Sequence, residues 1–432
     1  MNRRVVITGM GAITPLGNDL ATTWEGIING RSGVGEITIF DASKFPVRIA
    51  GEVKGFSPDL STIHPAIRNV AGRSVLLCLE AAKMAISDAG IDLEREDPRL
   101  IGVSLGGDEE YQEFSMMPEL YDMTYAYRAF VHGLHAYCEL LQHATPLAKL
   151  WALRKKTDIG TKALSLTFNL QGPSETSHTA CSSSGHALGK AKRLIEHGEC
   201  DVMIAGGHCS MISEFSIAGF FLLGTLSTRN DEPQRASRPF DLNRDGFVMG
   251  EGAGIVVLEE LEHARRRGAR IYAELAGYGS SSNAYRLTDT PPDGRGGDIA
   301  MRRALEDGRI NYHEVSYINA HGTGTLLNDR SETRSIKNIF KDHAPAIPIS
   351  SSKSMLGHLV CSSSAVELII TAMAVAHDII PPTINYETPD PQCDLDYVPN
   401  TSREQRVDVA LSNSFAFGGQ NATLALRKFT GS

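Results

Sequence analysis

The sequence contains no uninterrupted apolar run of about 18 residues, the length that an α-helix needs to cross a bilayer. We therefore expect no membrane-spanning segment and no membrane partner. A short apolar run follows two arginines near the N-terminus, but Gly9, Gly11 and Pro15 interrupt it, so it lacks the apolar core of a signal peptide. This segment instead predicts a buried first strand.

Cysteine and excess positive charge are also scarce. The chain has seven cysteines, an odd number, and none of them forms a CxxC pair. Their pattern argues against a disulfide framework and a structural zinc site, so we expect no bound metal and a reducing, cytoplasmic location. The net charge of −9 provides no basic surface for coating nucleic acid.

Short β-branched runs alternate with longer amphipathic stretches along the 432 residues, which predicts an α/β protein with mostly covered sheets. The predicted strands are Arg4–Thr8, Leu100–Ser104, Leu164–Phe168, Val202–Ala205, Gly254–Glu259, Ile271–Tyr278, Val315–Asn319, Ile347–Ser350, Val407–Ser412 and Ala422–Arg427. The predicted helices are Val75–Ala89, Ser184–His197, Asp298–Glu306, Ser331–Lys341 and Ser363–His377. The stretch Asp108–Asp158, rich in Tyr, Met, Leu and His, predicts a cap of irregular helices.

Two short patterns occur twice. The pattern CSSSxxxL begins at Cys181 and again at Cys361, and each copy opens an apolar-periodic helix. A Gly-x-Gly pattern also occurs twice at the end of a predicted strand, in the segments Ile7–Gly11 and Leu275–Gly279. Because short sequence repeats also arise by chance, the residues alone are compatible both with a duplicated fold and with coincidence.

A dinucleotide-binding loop is a competing interpretation of the first Gly-x-Gly pattern, since it follows a predicted strand. The third glycine of that fingerprint is missing, because Thr14 stands in its place. No acidic residue ends a second strand about 20 residues later either. The nucleotide-binding pattern is therefore incomplete.

Four side chains that could carry chemistry lie at the ends of predicted strands: Cys181, His321, Lys353 and His358. A cysteine at the start of a helix meets free N–H groups and the positive end of the helix dipole, which predicts a lowered thiol pKa. The same N–H groups could bind an oxyanion. Each residue also has a structural interpretation: a buried cysteine, a core or surface histidine, or a solvated lysine.

Taken together, a cysteine and two histidines could bind a metal, but the ligand spacing of zinc sites is missing. Two neutral imidazoles that donate hydrogen bonds suit a different task. They can stabilise an enolate oxygen while a nearby cysteine carries an acyl group.

Five motifs extend this interpretation, in the order TACSSS, NAHGTGT, NDRSET, KSMLGHL and NSFAFGG. With the central block RPFDLNRDGFVMGEGAGIVVLEEL, they make the chain resemble a β-ketoacyl-acyl carrier protein synthase of the synthase II type, within the thiolase-like superfamily. The resemblance covers nearly the whole chain. The Cys-His-His pattern also separates it from the Cys-His-Asn relatives that start chains and from plain thiolases.

The resemblance implies an acyltransferase that elongates a fatty-acid or polyketide chain by decarboxylative Claisen condensation. Cys181 would accept the acyl chain from phosphopantetheine as a thioester. His321 and His358 would hold the malonyl thioester carbonyl through decarboxylation, and Lys353 would support them, paired with Glu367. No cofactor is implied, because loss of CO₂ drives formation of the carbon–carbon bond.

Further roles follow from the same resemblance. Asp329 and Glu332 would order the site as supporting carboxylates. The backbone N–H groups of Cys181 and Phe417 would form the oxyanion hole, and Phe417 would gate the admission of acyl chains. The residues implied in binding pantetheine or the acyl chain are Thr323, Thr325 and Phe415.

The implied fold is a duplicated α/β/α/β/α five-layer sandwich. Its N-terminal half would span residues 1–262, with the helical cap inserted at about 108–160, and its C-terminal half residues 263–432. The implied partner is an acyl carrier protein bearing phosphopantetheine. We expect a homodimer, with two alternatives: a ketosynthase subunit that works as a heterodimer in a specialised polyketide or lipid pathway, or a non-catalytic chain-length or scaffold subunit.

Two departures from the family pattern matter. Cys361 stands where such enzymes usually have a small residue, so we predict that it packs rather than reacts. The segment Trp151–Gly160 replaces a Pro-Asn-Met stretch that is usual before the nucleophile. The sequence therefore leaves the acyl substrate and the pathway open.

Overall fold

Ten strands form one continuous sheet in the computed structural model, which describes residues 3–107 and 156–431. The remaining described strands form two small two-stranded sheets. In chain order the strands are β1 (Val5–Ile13), β2 (Gly35–Glu36), β3 (Ile49–Ala50), β4 (Ile101–Gly106), β5 (Ser174–Ser177), β6 (Val202–Cys209), β7 (Gly252–Glu260), β8 (Ala273–Ser282), β9 (Tyr317–Asn319), β10 (Ile349–Ser350), β11 (Ile379–Ile380), β12 (Arg403–Glu404), β13 (Val409–Phe415) and β14 (Gln420–Arg427).

Helices cover the sheet, as the alternating sequence pattern predicts. The helices of the described ranges are α1 (Leu20–Ile28), α2 (Pro65–Arg68), α3 (Arg73–Ala89), α4 (Ile159–Phe168), α5 (Ser183–Glu196), α6 (Glu214–Leu222), α7 (Leu261–Arg266), α8 (Gly297–Asp307), α9 (Leu326–Phe340), α10 (Lys353–Leu356) and α11 (Ser363–His377). The predicted cap lies outside the described residues up to position 155, as does the first part of the Trp151–Gly160 segment.

The ten-stranded sheet consists of two halves with the same topology. The first half has the order β1-β7-β6-β4-β5 and the second has the order β8-β14-β13-β9-β10. In each half the first two pairings are antiparallel and the last two are parallel. The halves join where Val6 and Ile7 of β1 pair with Glu274 and Ala273 of β8. The fold is therefore duplicated, a question that the short sequence repeats did not decide. The division of the chain at residue 262 stays a prediction.

The repeated Gly-x-Gly pattern serves the packing of a strand against a helix. A Cβ atom at Gly9 would lie 2.2 Å from the carbonyl oxygen of Ala85 on α3, and one at Gly277 would lie 2.1 Å from that of Ala304 on α8. The second glycine of each pair faces a carbonyl of the same helix equally closely. Since these glycines lie inside strands and let a helix approach, they do not form a phosphate-binding loop.

We expect Gly277→Ala to destabilise the protein by at least about 1–3 kcal/mol, because its Cβ would collide with helix backbone that cannot move aside easily. Gly219→Ala on α6 is the matched control, since a Cβ there meets nothing within 4 Å. Denaturant unfolding of both variants measures the difference. Equal stability of the two would contradict the packing role.

One predicted strand is wrong. Leu164–Phe168 alternates apolar and polar residues, as a strand does, but it forms the second half of α4. The helix buries Ile159, Ala163 and Leu164 and leaves Leu166 47% exposed, a helical periodicity that shows only when the window starts earlier. The strand that leads to Cys181 is instead β5, whose polar sequence SETS gives no hydrophobic signal because it lies at the sheet edge. The other predicted strands and all the predicted helices overlap observed ones.

Helices α5 and α11 are the equivalent helices of the two halves, and each begins within a CSSS pattern. The segment Val360–His377, which contains α11, is long and apolar enough to cross a membrane, but 89% of it is buried inside the protein. It is therefore a core helix, and its N-terminal end meets that of α5 beside the site described next.

Candidate active site

The two CSSS patterns fold into matching turns. Cys181 lies in the 3₁₀ turn Ala180–Ser182 before α5, and Cys361 lies in the 3₁₀ turn Val360–Ser362 before α11. The residue before each cysteine has a positive φ, +49° at Ala180 and +43° at Val360. A non-glycine residue in this conformation is strained, and such strain persists only where the surrounding structure enforces it.

Serines of each pattern tie the two turns together. Ser184 accepts a hydrogen bond from the backbone N–H of Ala365 at 3.1 Å, and Ser364 donates to the carbonyl oxygen of Cys181 at 3.3 Å. The contacts run in both directions between the halves, as expected for a pseudo-twofold arrangement. These serines therefore brace the turn that carries Cys181.

The Cys181 thiol is buried, with 7% of the residue exposed, and its Sγ lies 3.1 Å from Nε2 of His358. Burial raises the pKa of this thiol to about 12, and the nearby Cys361 adds to the effect. The charge of Lys353 and the backbone N–H groups of Phe417 and Cys181 oppose it. Our prediction of a lowered thiol pKa is therefore wrong for the resting site, because desolvation of the thiolate outweighs the helix terminus.

His358 carries its proton on the nitrogen that faces the cysteine. Its Nδ1 accepts a hydrogen bond from the backbone N–H of Val360 at 3.3 Å and lies 2.9 Å from the Ser363 hydroxyl. A neutral imidazole with an accepting Nδ1 has its proton on Nε2. Burial, together with the charge of Lys353, holds the pKa of His358 well below its usual value, so the ring stays neutral and donates toward the cysteine.

His321 lies beside His358, with the two ring centroids 5.4 Å apart and the rings nearly perpendicular. Burial lowers the pKa of His321 well below its usual value, with Lys353 and His358 acting in the same direction. Its Nδ1 makes no hydrogen bond within the described residues. The site thus presents two neutral imidazoles, the form that hydrogen-bonds a carbonyl or an enolate oxygen.

Lys353 lies behind the histidines and forms a hydrogen-bonded ion pair with Glu367 of α11. Both side chains are at least 97% buried. Burial raises the pKa of Glu367 to about 7, although Lys353 opposes this shift. The structure therefore brings Lys353 and Glu367 together as an internal support rather than as part of the cavity wall.

Asp329 and Glu332 of α9 hold the backbone of the His321 loop. Glu332 accepts the N–H groups of His321 and Gly322, each at 2.8 Å, and Asp329 accepts that of Gly324 at 3.2 Å. Both carboxyls are buried, and burial raises the pKa of each, that of Glu332 to about 7. The two carboxylates therefore order the loop without contacting the cavity.

The raised pKa of Glu332 predicts a pH-dependent contribution to stability. The folded carboxyl keeps its proton up to about pH 7, whereas an ordinary glutamate loses it near 4.5, so the folded state binds more protons between these values. The stability that Glu332 contributes relative to Glu332→Gln should therefore decrease as the pH rises from 4.5 to 7, by on the order of 3 kcal/mol. Denaturant unfolding of both proteins across this range measures it, and a constant difference would contradict the shift.

A cavity of about 290 Å³ connects these groups to the surface. Its inner end is formed by Cys181, His321 and His358, and Phe417 also lines it. Gly418 and Gly419 follow Phe417 with φ of +76° and +74°, values that glycine adopts without strain and that let this turn bend away from β13. The three residues implied in substrate binding also line the cavity, namely Thr323, Thr325 and Phe415.

Sequence reasoning missed two kinds of site residue. Phe220 and Phe247 line the apolar wall, and the ring of Phe247 packs edge-on against His358 with centroids 5.1 Å apart. Phe247 lies in the central block of the resemblance, which was a usable signal. Ser363 and the N–H of Val360 set the His358 tautomer through contacts that no motif predicts.

Comparison with models of known sequence families identifies the family of this chain. Residues 2–264 match the family model for the Beta-ketoacyl synthase N-terminal domain, and residues 272–387 match that for the C-terminal domain. The chain belongs to the β-ketoacyl synthase family. It is 41% identical over 429 residues to the 3-oxoacyl-[acyl-carrier-protein] synthase 2 of Coxiella burnetii, with 99% of each chain covered. It is 44% identical over 434 residues to the Synechocystis protein of the same name, with 99% and 98% covered.

Solved structures similar to this chain support its assignment to the β-ketoacyl synthase family. The ishigamide ketosynthase/chain length factor has a TM-score of 0.85 at 34% identity, and a beta-ketoacyl synthase from Burkholderia phymatum has 0.85 at 32%. A ketosynthase of a type II polyketide synthase, solved in complex with its acyl carrier protein, has 0.82 at 32%. The matches cover 99% of this chain and 100% of each neighbour. The chain thus has the thiolase-like fold, the duplicated five-layer sandwich that its resemblance implies.

Proposed function

We propose that this chain elongates an acyl chain by decarboxylative condensation with a malonyl thioester, both substrates being carried on phosphopantetheine. The observation that carries the proposal is the convergence of the Cys181 sulfur, two neutral imidazoles and two backbone N–H groups at the inner end of one cavity. This set provides a nucleophile, an oxyanion hole and enolate stabilisation.

The first half-reaction is acyl transfer to Cys181. The sulfur attacks the carbonyl carbon of the acyl thioester, and the tetrahedral oxyanion is held by the N–H groups of Cys181 and Phe417. Collapse breaks the bond to the pantetheine sulfur, which leaves with the proton that the cysteine thiol loses. The products are an acyl thioester on Cys181 and a free pantetheine thiol.

The second half-reaction forms the carbon–carbon bond. The malonyl thioester loses CO₂, and the electron pair of the broken bond forms an enolate whose oxygen accepts hydrogen bonds from His321 and His358. The enolate carbon attacks the acyl carbonyl on Cys181, and the cysteine sulfur leaves and takes up one proton. A 3-oxoacyl thioester remains on pantetheine, two carbons longer than the acyl chain, and the enzyme returns to its starting state.

An acyl carrier protein is the partner that we propose for both steps. The hydroxyls of Thr323 and Thr325 lie 2.9 Å apart on the cavity wall, where they can hydrogen-bond the amides of a pantetheine arm. The relatives named above are synthases acting on acyl carrier protein, and one structural neighbour was solved with such a carrier bound. We place the enzyme in the cytoplasm, a reducing compartment that suits the free thiols of its described cysteines.

A direct test combines the purified chain with malonyl carrier protein and a ladder of acyl carrier proteins of increasing chain length. Mass spectrometry of the carrier-bound products should show a 3-oxoacyl chain two carbons longer than the acyl chain supplied. The chain lengths that react define the substrate range. Loss of CO₂ without a condensed product from any acyl carrier would contradict the proposal.

A second candidate is the same chemistry in a heterodimer of a specialised pathway, because two structural neighbours come from type II polyketide and ketosynthase/chain length factor systems. A homodimer is our first proposal, since β5 lies at the end of the sheet with Ser174 and Glu175 exposed, and an open edge can pair with a second copy. Native mass spectrometry of the purified chain separates the two. A stable, active homodimer argues against an obligate second subunit.

A non-catalytic scaffold is the least supported alternative. Cys181, His321, Lys353 and His358 are all present and come together in the structure. A subunit that only measures chain length needs no buried nucleophile beside an imidazole donor.

A further inference from the structure

The guanidinium of Arg244 is fully buried beneath the loop that carries His321. It donates hydrogen bonds to the carbonyl oxygens of Thr325 at 3.2 Å and Leu326 at 3.1 Å, and it lies 3.4 Å from the carboxylate of Asp329. It is anchored from the other side by Asp390, at 2.9 Å. One planar group therefore binds the end of the loop, the start of α9 and a separate segment of the chain.

The Asp329 carboxylate extends this support toward His321. It accepts the N–H of Gly324 inside the loop at 3.2 Å and the N–H of Phe240 at 2.8 Å. Phe240 is a buried residue with φ of +65°, and its ring packs so closely against Gly322 that a Cβ there would lie 3.0 Å from it. A bulky residue is held in this conformation only by its surroundings.

The segment from Phe240 to Arg244 belongs to the first half of the fold, whereas the loop that it supports belongs to the second. It touches the loop on both sides of Thr323. Cys181 is held by different elements, β5 and α5. The support is therefore specific to the half of the cavity that carries His321 and the two threonines.

We propose that Arg244 is a positioning residue for the condensation step. It touches neither substrate nor reacting atoms, but it fixes the loop so that His321 and Thr323 keep their places around the malonyl thioester. A shift of about 1 Å in such groups costs on the order of 100-fold in rate. This inference rests on the proposed function, and it predicts that the two half-reactions respond differently to loss of Arg244.

Arg244→Lys tests the proposal, because lysine keeps the charge but cannot bind both carbonyls and both carboxylates at once. Cys181 is first acylated with an acyl-pantetheine thioester, followed by intact-protein mass spectrometry. Malonyl-pantetheine is then added to the acylated enzyme, and the rate at which the 3-oxoacyl product forms is measured. We expect unchanged acylation, a fall of about 100-fold in condensation and a higher KM for the malonyl thioester.

Two further variants complete the experiment. Asp390→Asn removes the charge of the outer anchor and leaves Arg244 in place. It should show the same selective loss of condensation rate to a smaller degree, and it keeps the proposal testable if Arg244→Lys does not fold. Arg238→Lys is the matched control: Arg238 is also buried, 3% exposed, and pairs with Asp241 and Glu387 instead of the loop. It should retain both half-reactions.

Equal loss of acylation and condensation would show a merely structural role and overturn the proposal. So would unchanged condensation in Arg244→Lys, or the same selective loss in Arg238→Lys. Failure of the proposed function would look different, because then the unmodified chain would itself neither become acylated nor release a 3-oxoacyl product.

Discussion

Cys181→Ala will form no acyl-enzyme, and its condensation rate will fall by at least roughly 10⁴-fold. No other described side chain at the inner end of the cavity replaces the sulfur, because His321 and His358 are neutral imidazoles there and Cys361 does not line the cavity. Intact-protein mass spectrometry after incubation with acyl carrier protein should show the mass of the acyl group on the parent chain and no added mass on the variant.

Cys361→Ala is the matched control for this result. Cys361 has the same local sequence and the same 3₁₀ turn, but it is 3% exposed and does not line the cavity. We expect it to load normally. If Cys181→Ala became acylated, or if Cys361→Ala did not, the proposal that Cys181 is the nucleophile would be wrong.

The two histidines should separate the half-reactions. His321 faces the cavity but makes no hydrogen bond to the sulfur, so His321→Ala should load Cys181 and lose condensation by about 10²–10³-fold, the usual effect of removing one oxyanion donor. His358 lies 3.1 Å from the sulfur, so His358→Ala should slow both steps. Single-turnover loading and product formation, measured separately, give the two rates.

His343→Ala is the control for these variants, since this half-buried histidine contacts the carbonyl of Val315 away from the cavity. It should behave as the parent chain does. If His321→Ala lost both acylation of Cys181 and condensation, the proposal that His321 acts only in condensation would be wrong.

The turn that carries Cys181 could be predicted from local sequence. The CSSS pattern at Cys181 predicts a helix start, and α5 begins at Ser183. The repeat at Cys361 predicts the same turn, and the structure shows it down to a positive φ before each cysteine. These features depend on residues within one or two turns of the chain, where backbone preferences act.

The strand before that turn could not be found in the same way. Leu164–Phe168 alternates like a strand, yet its partners in the core make it a helix, while the polar SETS sequence of β5 pairs through its backbone with β4. Hydrophobic periodicity reports which side chains are buried, so it is silent for an edge strand that buries few of them.

The sequence by itself determined the chemical groups of this protein: a cysteine in a helix-start turn, two histidines, a lysine and the family motifs around them. Only the tertiary structure decided their protonation. It raises the pKa of the Cys181 thiol to about 12, keeps both imidazoles neutral and directs the His358 proton to the sulfur. The physical reason is range: a helix terminus acts within a turn, whereas desolvation depends on everything that packs around a group from distant parts of the chain.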